Sequence, residues 1–409
     1  MNFLRGDWIL TCDENLTIIQ DGAIVFGDEI IDIDTLQNLE KKYPNEVFLY
    51  QGDNSVIMPG LINSHVHLEF SGNKTTLQYG NFVKWLFSVI ANREELIEKA
   101  TKELIDNELQ IMISNGTTTI GAVSSYGFDI NSCIETKLNV VYFTEILGSK
   151  PEMIDTLLQD FKEKFNLAKK YKSSRFIPAV AIHSPYSTHP FLVREALRLA
   201  KEEDTPVSAH FMESVAENDW LNYSTGEFAT FFKEMLGQQK SLQKPNEFLS
   251  VFKGINNLSF THCVRANKEE LTQIKELGAS IIHCPNSNRL LENTALNLDY
   301  LDDISLALGT DGLSSNYTLD LFEEMRNAFF IHKNFIVREL ADKLLMSSTK
   351  GGANALGFHN KGSLETNKDA DLIVFNLPDI VQIENLTTAI ILHKSKIKKT
   401  YIKGHNALN

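Results

Sequence analysis

His65 and His67 stand one residue apart at the end of an apolar stretch that runs from Met58. In a β-strand, residues i and i+2 face the same way, so the two imidazoles would converge on one point, as the arms of a metal pincer do. Taken alone, the pair reads equally well as two satisfied polar residues at a strand end. More polar residues close separate apolar segments: His183 follows Ile177–Ile182, His210 follows Pro206–Ala209, and His262 follows Leu258–Thr261. His283 follows Ser280–Ile282, and Asp311 follows Ser305–Thr310. Neutral imidazoles with a carboxylate suit a borderline divalent ion such as Zn2+ or Fe2+, and a catalytic site adds a water to three or four protein ligands. Such an ion lowers the pKa of its water from about 15.7 toward 7.

These residues need elements to position them. Thr117–Val123 and Asn139–Ile146 read as two further strands, which brings the series to eight. Phe82–Ser114, Met153–Tyr171, Phe191–Glu203, Lys268–Leu277 and Leu319–Met346 carry apolar residues at helical spacing. Strands alternating with helices over Ile57–Leu356 predict an α/β fold, a (β/α)8 TIM barrel, whose catalytic residues sit at the C-terminal strand ends. Phe3–Thr11, Thr17–Gln20, Ala23–Phe26, Ile30–Ile33, Leu372–Phe375 and Lys398–Lys403 read as short strands, with turn signals at Asp21-Gly22 and Gly27-Asp28. They are predicted to form one small β-sandwich built from both termini. The expected division is 1–56 with 357–409 for that domain and 57–356 for the catalytic barrel. No repeat or Pro/Gly-rich linker interrupts the chain, so the two domains are expected to be rigidly joined.

At 409 residues and 43% hydrophobic, the chain can bury a large core. A net charge of -14 argues against a nucleic-acid partner, because phosphate binding needs clustered Lys and Arg. The short basic cluster Lys394–Lys403 reads as a solvated strand face. Arg5 and Asp7 interrupt the apolar start, so no signal peptide is expected, and Lys84 breaks the apolar run Phe82–Ala91, so no membrane span is expected. Four cysteines without C-x-x-C spacing fit a reducing cytoplasm. Cys263 and Cys284 adjoin His262 and His283 and would face away from them in a strand, into packing rather than toward a metal. His67-Leu68-Glu69 spells the H-x-E of cytidine deaminases, but Cys284-Pro285 has the wrong order for the P-C-x-x-C that class requires.

Four motifs in order, Pro59-Gly60-Leu61-Ile62-Asn63-Ser64-His65-Val66-His67, His210-Phe211-Met212-Glu213, Thr261-His262-Cys263 and Gly309-Thr310-Asp311-Gly312, resemble the amidohydrolase superfamily in its purine and triazine deaminase/chlorohydrolase branch. The resemblance spans essentially the whole chain. The tail Gly362-Ser363-Leu364-Glu365 to Lys368–Phe375 resembles that branch's closing β-element. It implies His65, His67, His210 and Asp311 as metal ligands. A second metal in this superfamily needs a lysine near the end of strand four, and Phe176–Ser184 has none, so one metal is expected. The resemblance further implies that Asp311 takes the water's proton and returns it to the leaving amine. His262 would hold the nucleophile, and Glu213 would protonate a ring nitrogen, which needs a carboxyl that stays protonated near neutral pH. His183 would contact the substrate, and Glu94 would bind a ribose. His283 is expected only to shape the pocket.

Phe82-Val83-Lys84-Trp85-Leu86-Phe87 and Cys284-Pro285-Asn286-Ser287-Asn288-Arg289-Leu290-Leu291 narrow the likeness. They resemble the aminodeoxyfutalosine deaminases of the futalosine route to menaquinone. Those enzymes remove the 6-amino group of an adenine nucleoside whose 5′ side carries a carboxyphenyl ketone, and Arg289 is the candidate partner for that anion. Deamination of S-adenosylhomocysteine or methylthioadenosine is the nearest alternative. Homocysteine-binding relatives carry arginines after strand three, where Leu147-Gly148-Ser149-Lys150 has none. A guanine deaminase or chlorohydrolase would share the ligands, and a metal-free scaffold protein would have lost them. A homo-oligomer is compatible with the chain.

Overall fold

A computed structural model describes residues 1–73, 76–301 and 303–408. Eight strands form a barrel: Leu61–Val66, Thr117–Ser124, Asn139–Ile146, Phe176–Ile182, Val207–Phe211, Leu258–His262, Ser280–His283 and Leu306–Leu308. Each pairs in parallel with the next. Thr117–Ser124 and Asn139–Ile146 are buried along their whole length, as parallel strands covered on both faces must be. The ring closes just past the eighth strand, where the amides of Thr310 and Asp311 donate to the His65 carbonyl at 3.1 and 3.0 Å. Gly309 permits this approach, since a Cβ there would lie 2.8 Å from that of His65. Asn63 staples the same junction, donating to Thr310 Oγ1 at 2.7 Å and accepting from the Thr310 amide at 3.1 Å. Asp311 is thereby tied to the strand that carries the paired histidines.

Both chain ends contribute to a second, mixed sheet, ordered His405–Asn406, Lys399–Ile402, Leu372–Asn376, Ser55–Pro59, Asn2–Leu10, Ile18–Phe26, Ile30–Thr35, with Leu49–Tyr50 beside Asn2–Leu10. Ser55–Pro59 belongs to this sheet and spans the expected limit at 56/57, and the barrel's first strand starts at Leu61. The turn predicted at Asp21-Gly22 is instead a kink within one strand. Asp21 takes φ 47°, and the ladder to Asn2–Leu10 continues on both sides of it. A Cβ on Gly22 would stand 2.7 Å from Cγ1 of Ile9, so glycine lets the two strands stay paired.

Two long helical patterns are subdivided. Phe82–Ser114 folds as Phe82–Ala91, Arg93–Lys99 and Lys102–Ser114, and Leu319–Met346 as Leu321–Ile331 and Val337–Ser347. Thr101 caps the third of these helices by accepting from the Leu104 amide at 3.3 Å, an interaction typically worth about 1 kcal/mol. At the junction between sheet and barrel, the buried Lys361 pairs with both Asp369 and Asp371, and Asp371 also accepts from Asn139 Nδ2 at 2.9 Å. A buried ammonium is tolerable only with partners of this kind. All four cysteines are buried and unpaired with one another. Among the described residues no helix is long and apolar enough to cross a membrane.

Candidate active site

The strand ends bring His65, His67, His210, His262, Glu213 and Asp311 together. His65 lies near the end of the first strand and His67 just past it, with ring centroids 4.8 Å apart. His210, in the fifth strand, lies 4.8 Å from His65 and stacks on His67 at 5.4 Å. Asp311 Oδ1 is 3.8 Å from Nε2 of His65 and 3.7 Å from Nε2 of His67. Ligand atoms of His65, His67 and Asp311 fall within 4.8 Å of one another, as do those of His65, His210 and His262, and of Glu213, His262 and Asp311.

Hydrogen bonds behind the rings decide where their lone pairs point. His210 Nδ1 donates to the His183 carbonyl at 2.6 Å, which leaves its Nε2 bare and facing Nε2 of His67 at 3.3 Å. His65 Nδ1 lies 3.3 Å from Thr261 Oγ1, and among the described residues its Nε2 has no hydrogen-bond partner. Buried nitrogens turned on one another beside a carboxylate are costly unless a cation satisfies them, so this donor set fits a divalent metal.

Asp311 is held from behind. Its Oδ2 accepts from Ser287 at 2.7 Å and Ser315 at 2.8 Å, and Oδ1 accepts from the Gly312 amide at 2.8 Å. Burial opposes charge on this carboxyl, but His67, His65 and His262 outweigh it and hold the group well below the usual carboxylate range. Glu213 is driven the opposite way: burial first, then the charges of Asp311, Glu217 and Glu292, push it well above the usual range. Its Oε1 stands 3.4 Å from Nε2 of His262. One neighbourhood thus favours the ionised form of one carboxyl and the protonated form of the other, a division of the kind general acid–base chemistry uses. Met212, His262 and Asp311 all take left-handed backbone angles, at φ 51°, 74° and 58°. Such conformations are unfavourable for most side-chain-bearing residues.

His183 lies at the edge of the group, its ring 5.2 Å from that of His210 and its Nδ1 2.6 Å from Ser187 Oγ. Glu94, in the first turn of Arg93–Lys99, and Arg289, near the end of helix Pro285–Glu292, are exposed. Among the described residues no hydrogen bond or ion pair ties either of them to the cluster. His283 is fully buried and bonds to Asn288 and His332 rather than to the cluster.

Four supporting residues escaped the sequence reading. Glu217 accepts from the Met212 and Glu213 amides at 3.1 and 2.8 Å and so sets the turn that aims Glu213. Its signal was present, because Ser214 and Glu217 have the spacing of a capped helix start, and Ser214 does cap Val215–Tyr223. Ser287 and Asn288 reach Asp311 and His262 from one short helix that opens on Pro285, a favoured first helical residue. Glu145, buried in the third strand, lies 3.8 Å from Nδ1 of His210, and nothing local marks it.

Comparison with known proteins adds an independent line. The amidohydrolase family model matches residues 56–407. An aminodeoxyfutalosine deaminase from Nitratiruptor sp. is 47% identical over 389 residues, covering 95% of each chain. An adenosine deaminase from Helicobacter pylori is 35% identical over 98% of each chain. The crystal structure of Helicobacter pylori aminofutalosine deaminase in complex with methylthio-coformycin matches with a TM-score of 0.94 at 34% identity, covering 99% of this chain and 100% of that one.

Proposed function

The chain belongs to the amidohydrolase family, and from that premise we propose that it is a hydrolytic deaminase of adenine nucleosides that converts 6-aminodeoxyfutalosine to futalosine and ammonia. The observation that carries the substrate is the 47% identity to the Nitratiruptor enzyme across 95% of both chains. We assign one divalent ion, Zn2+ or Fe2+, to His65, His67, His210 and Asp311, whose convergent buried donors support it. When bound, the ion supplies the electrostatic pull that makes a water acidic enough to attack near neutral pH.

The protein's own groups do the rest. Asp311, ionised, takes the proton from the attacking water and hands it to the departing amino group. His262 accepts a hydrogen bond from that water at Nε2 and holds it against the ring carbon. Glu213, protonated, donates to a ring nitrogen and so makes the carbon electrophilic, in the manner of a positioned general acid, and the second water proton, lost as the new hydroxyl becomes a carbonyl, replaces the one it gave. His183 meets the purine, Glu94 the ribose, and Arg289 the 5′ carboxylate.

Ammonia release across aminodeoxyfutalosine, methylthioadenosine, S-adenosylhomocysteine, adenosine and guanine tests the substrate. Binding energy from the remote 5′ group can be used at the transition state, so aminodeoxyfutalosine is expected to rank first and Arg289→Ala to narrow its lead. A clear preference for S-adenosylhomocysteine or adenosine would move the assignment, and activity on guanine alone would overturn the nucleoside reading. Metal analysis of fully active protein is expected to return about one ion per chain, the number one set of four ligands accommodates. Two equivalents at full activity would sink the mononuclear assignment.

A further inference from the structure

Behind His262, polar side chains run in single file away from the site. His262 Nδ1 meets Asn288 Oδ1 at 2.9 Å, Asn288 Nδ2 lies 3.3 Å from His283 Nδ1, and His283 Nε2 lies 3.1 Å from His332 Nε2. The first three residues are essentially inaccessible, and His332 is 8% exposed. A neutral imidazole has one N–H and one bare nitrogen, while an asparagine amide has an oxygen that only accepts and a nitrogen that donates. Burial holds His283 well below the usual histidine range and brings His332 down to about 4, so both rings are neutral at pH 7.

With Oδ1 of Asn288 turned to His262 and its Nδ2 to His283, the file has one direction. Asn288 Oδ1 accepts from His262 Nδ1–H, and Asn288 Nδ2 donates to a bare His283 Nδ1. His283 carries its proton on Nε2 and donates it to His332, whose own proton sits on Nδ1. At the inner end, His262 is left with a bare Nε2 that has no hydrogen-bond partner among the described residues and stands 3.4 Å from Glu213.

We propose that His332 is a positioning residue, which acts through His283 and Asn288 to select the His262 tautomer that presents an acceptor, not a donor, to the site. Each bond holds the direction of the next. Without His332, the His283 proton could occupy either nitrogen, the Asn288 amide could turn over, and His262 could present N–H where an acceptor is needed. What His262 does with its acceptor rests on the deaminase reading, whereas the tautomer pattern does not.

Histidine 15N NMR of the zinc-loaded, substrate-free protein reads the pattern directly. Protonation at Nδ1 of His262 and His332 and at Nε2 of His283 is expected. Nδ1–H on both His262 and His283 would overturn the proposal, because a single amide cannot serve both in this geometry. His332→Phe keeps a ring but removes the acceptor, and it should give a mixture of tautomers at His262. Its kcat should fall about three- to tenfold, far less than a fixed wrong tautomer costs in a catalytic triad, with KM and metal content unchanged. His332→Gln, whose Oε1 can accept from His283, should restore both readouts. An unaltered His262 spectrum in His332→Phe, or a fall in kcat that His332→Gln does not restore, refutes the role. Should His332→Phe not fold, a proton on Nε2 of His332 in the wild-type protein would refute the role without it, because His332 would then offer His283 no acceptor. Absence of turnover on every nucleoside in wild type would sink the deaminase reading and leave the tautomer test standing.

Discussion

Asp311→Asn is expected to lower kcat by about 10⁴, the upper end of what a positioned proton carrier supplies, and to reduce metal content as well. The backbone should tolerate the change, because Asp311 sits at φ 58° and asparagine is among the residues that accept left-handed angles. The hydroxyls of Ser287 and Ser315 can rotate to accept from an amide nitrogen, so the oxygen can keep its bond from the Gly312 amide. What the variant loses is the charge facing His65 and His67 and the ability to carry a proton. Turnover within tenfold of wild type at equal metal loading would remove Asp311 from the proton path.

Glu213→Gln should behave differently, keeping the metal while kcat falls by roughly 10²–10⁴. The variant would retain the turn set by Glu217, which holds backbone amides rather than the Glu213 side chain. A pH profile separates this from a packing defect. Burial, with Asp311, Glu217 and Glu292 nearby, raises the Glu213 carboxyl, so the active form is protonated and activity should be lost as pH rises through its pKa. In Glu213→Gln that alkaline fall should vanish from the residual rate. Wild-type turnover in this variant would reduce Glu213 to a bystander.

Much of the site was legible from residues 65 to 311 because its principal groups lie at or just past strand ends. Period-two alternation is local, and a polar residue closing an apolar run can be read without knowing where the strand goes. His65, His67, His210, His262 and Asp311 announce themselves in that way, and the order of the strands follows from their alternation with helices. Glu213 is visible as part of the His210 motif, but its protonation state is not, since that depends on Asp311 and Glu292 brought in from distant segments. Asp21-Gly22 carries the chemistry of a turn, yet pairing with Asn2–Leu10 keeps both residues inside a strand. Thr101 could have marked a helix start, but the continuing apolar periodicity on either side concealed the break.

The amino-acid order by itself thus determined the barrel, the polar residues at its strand ends and the family, all of which depend on short-range periodicity and contiguous motifs. Only the tertiary structure decided which groups stand behind those residues. Ser287 lies 24 residues from Asp311, Asn288 26 from His262, and His332 49 from His283, and each pair meets because separate barrel segments converge at one rim. Hydrogen-bond partners of this kind are set by three-dimensional proximity and by the need to satisfy buried polar atoms, neither of which leaves a periodic trace along the chain.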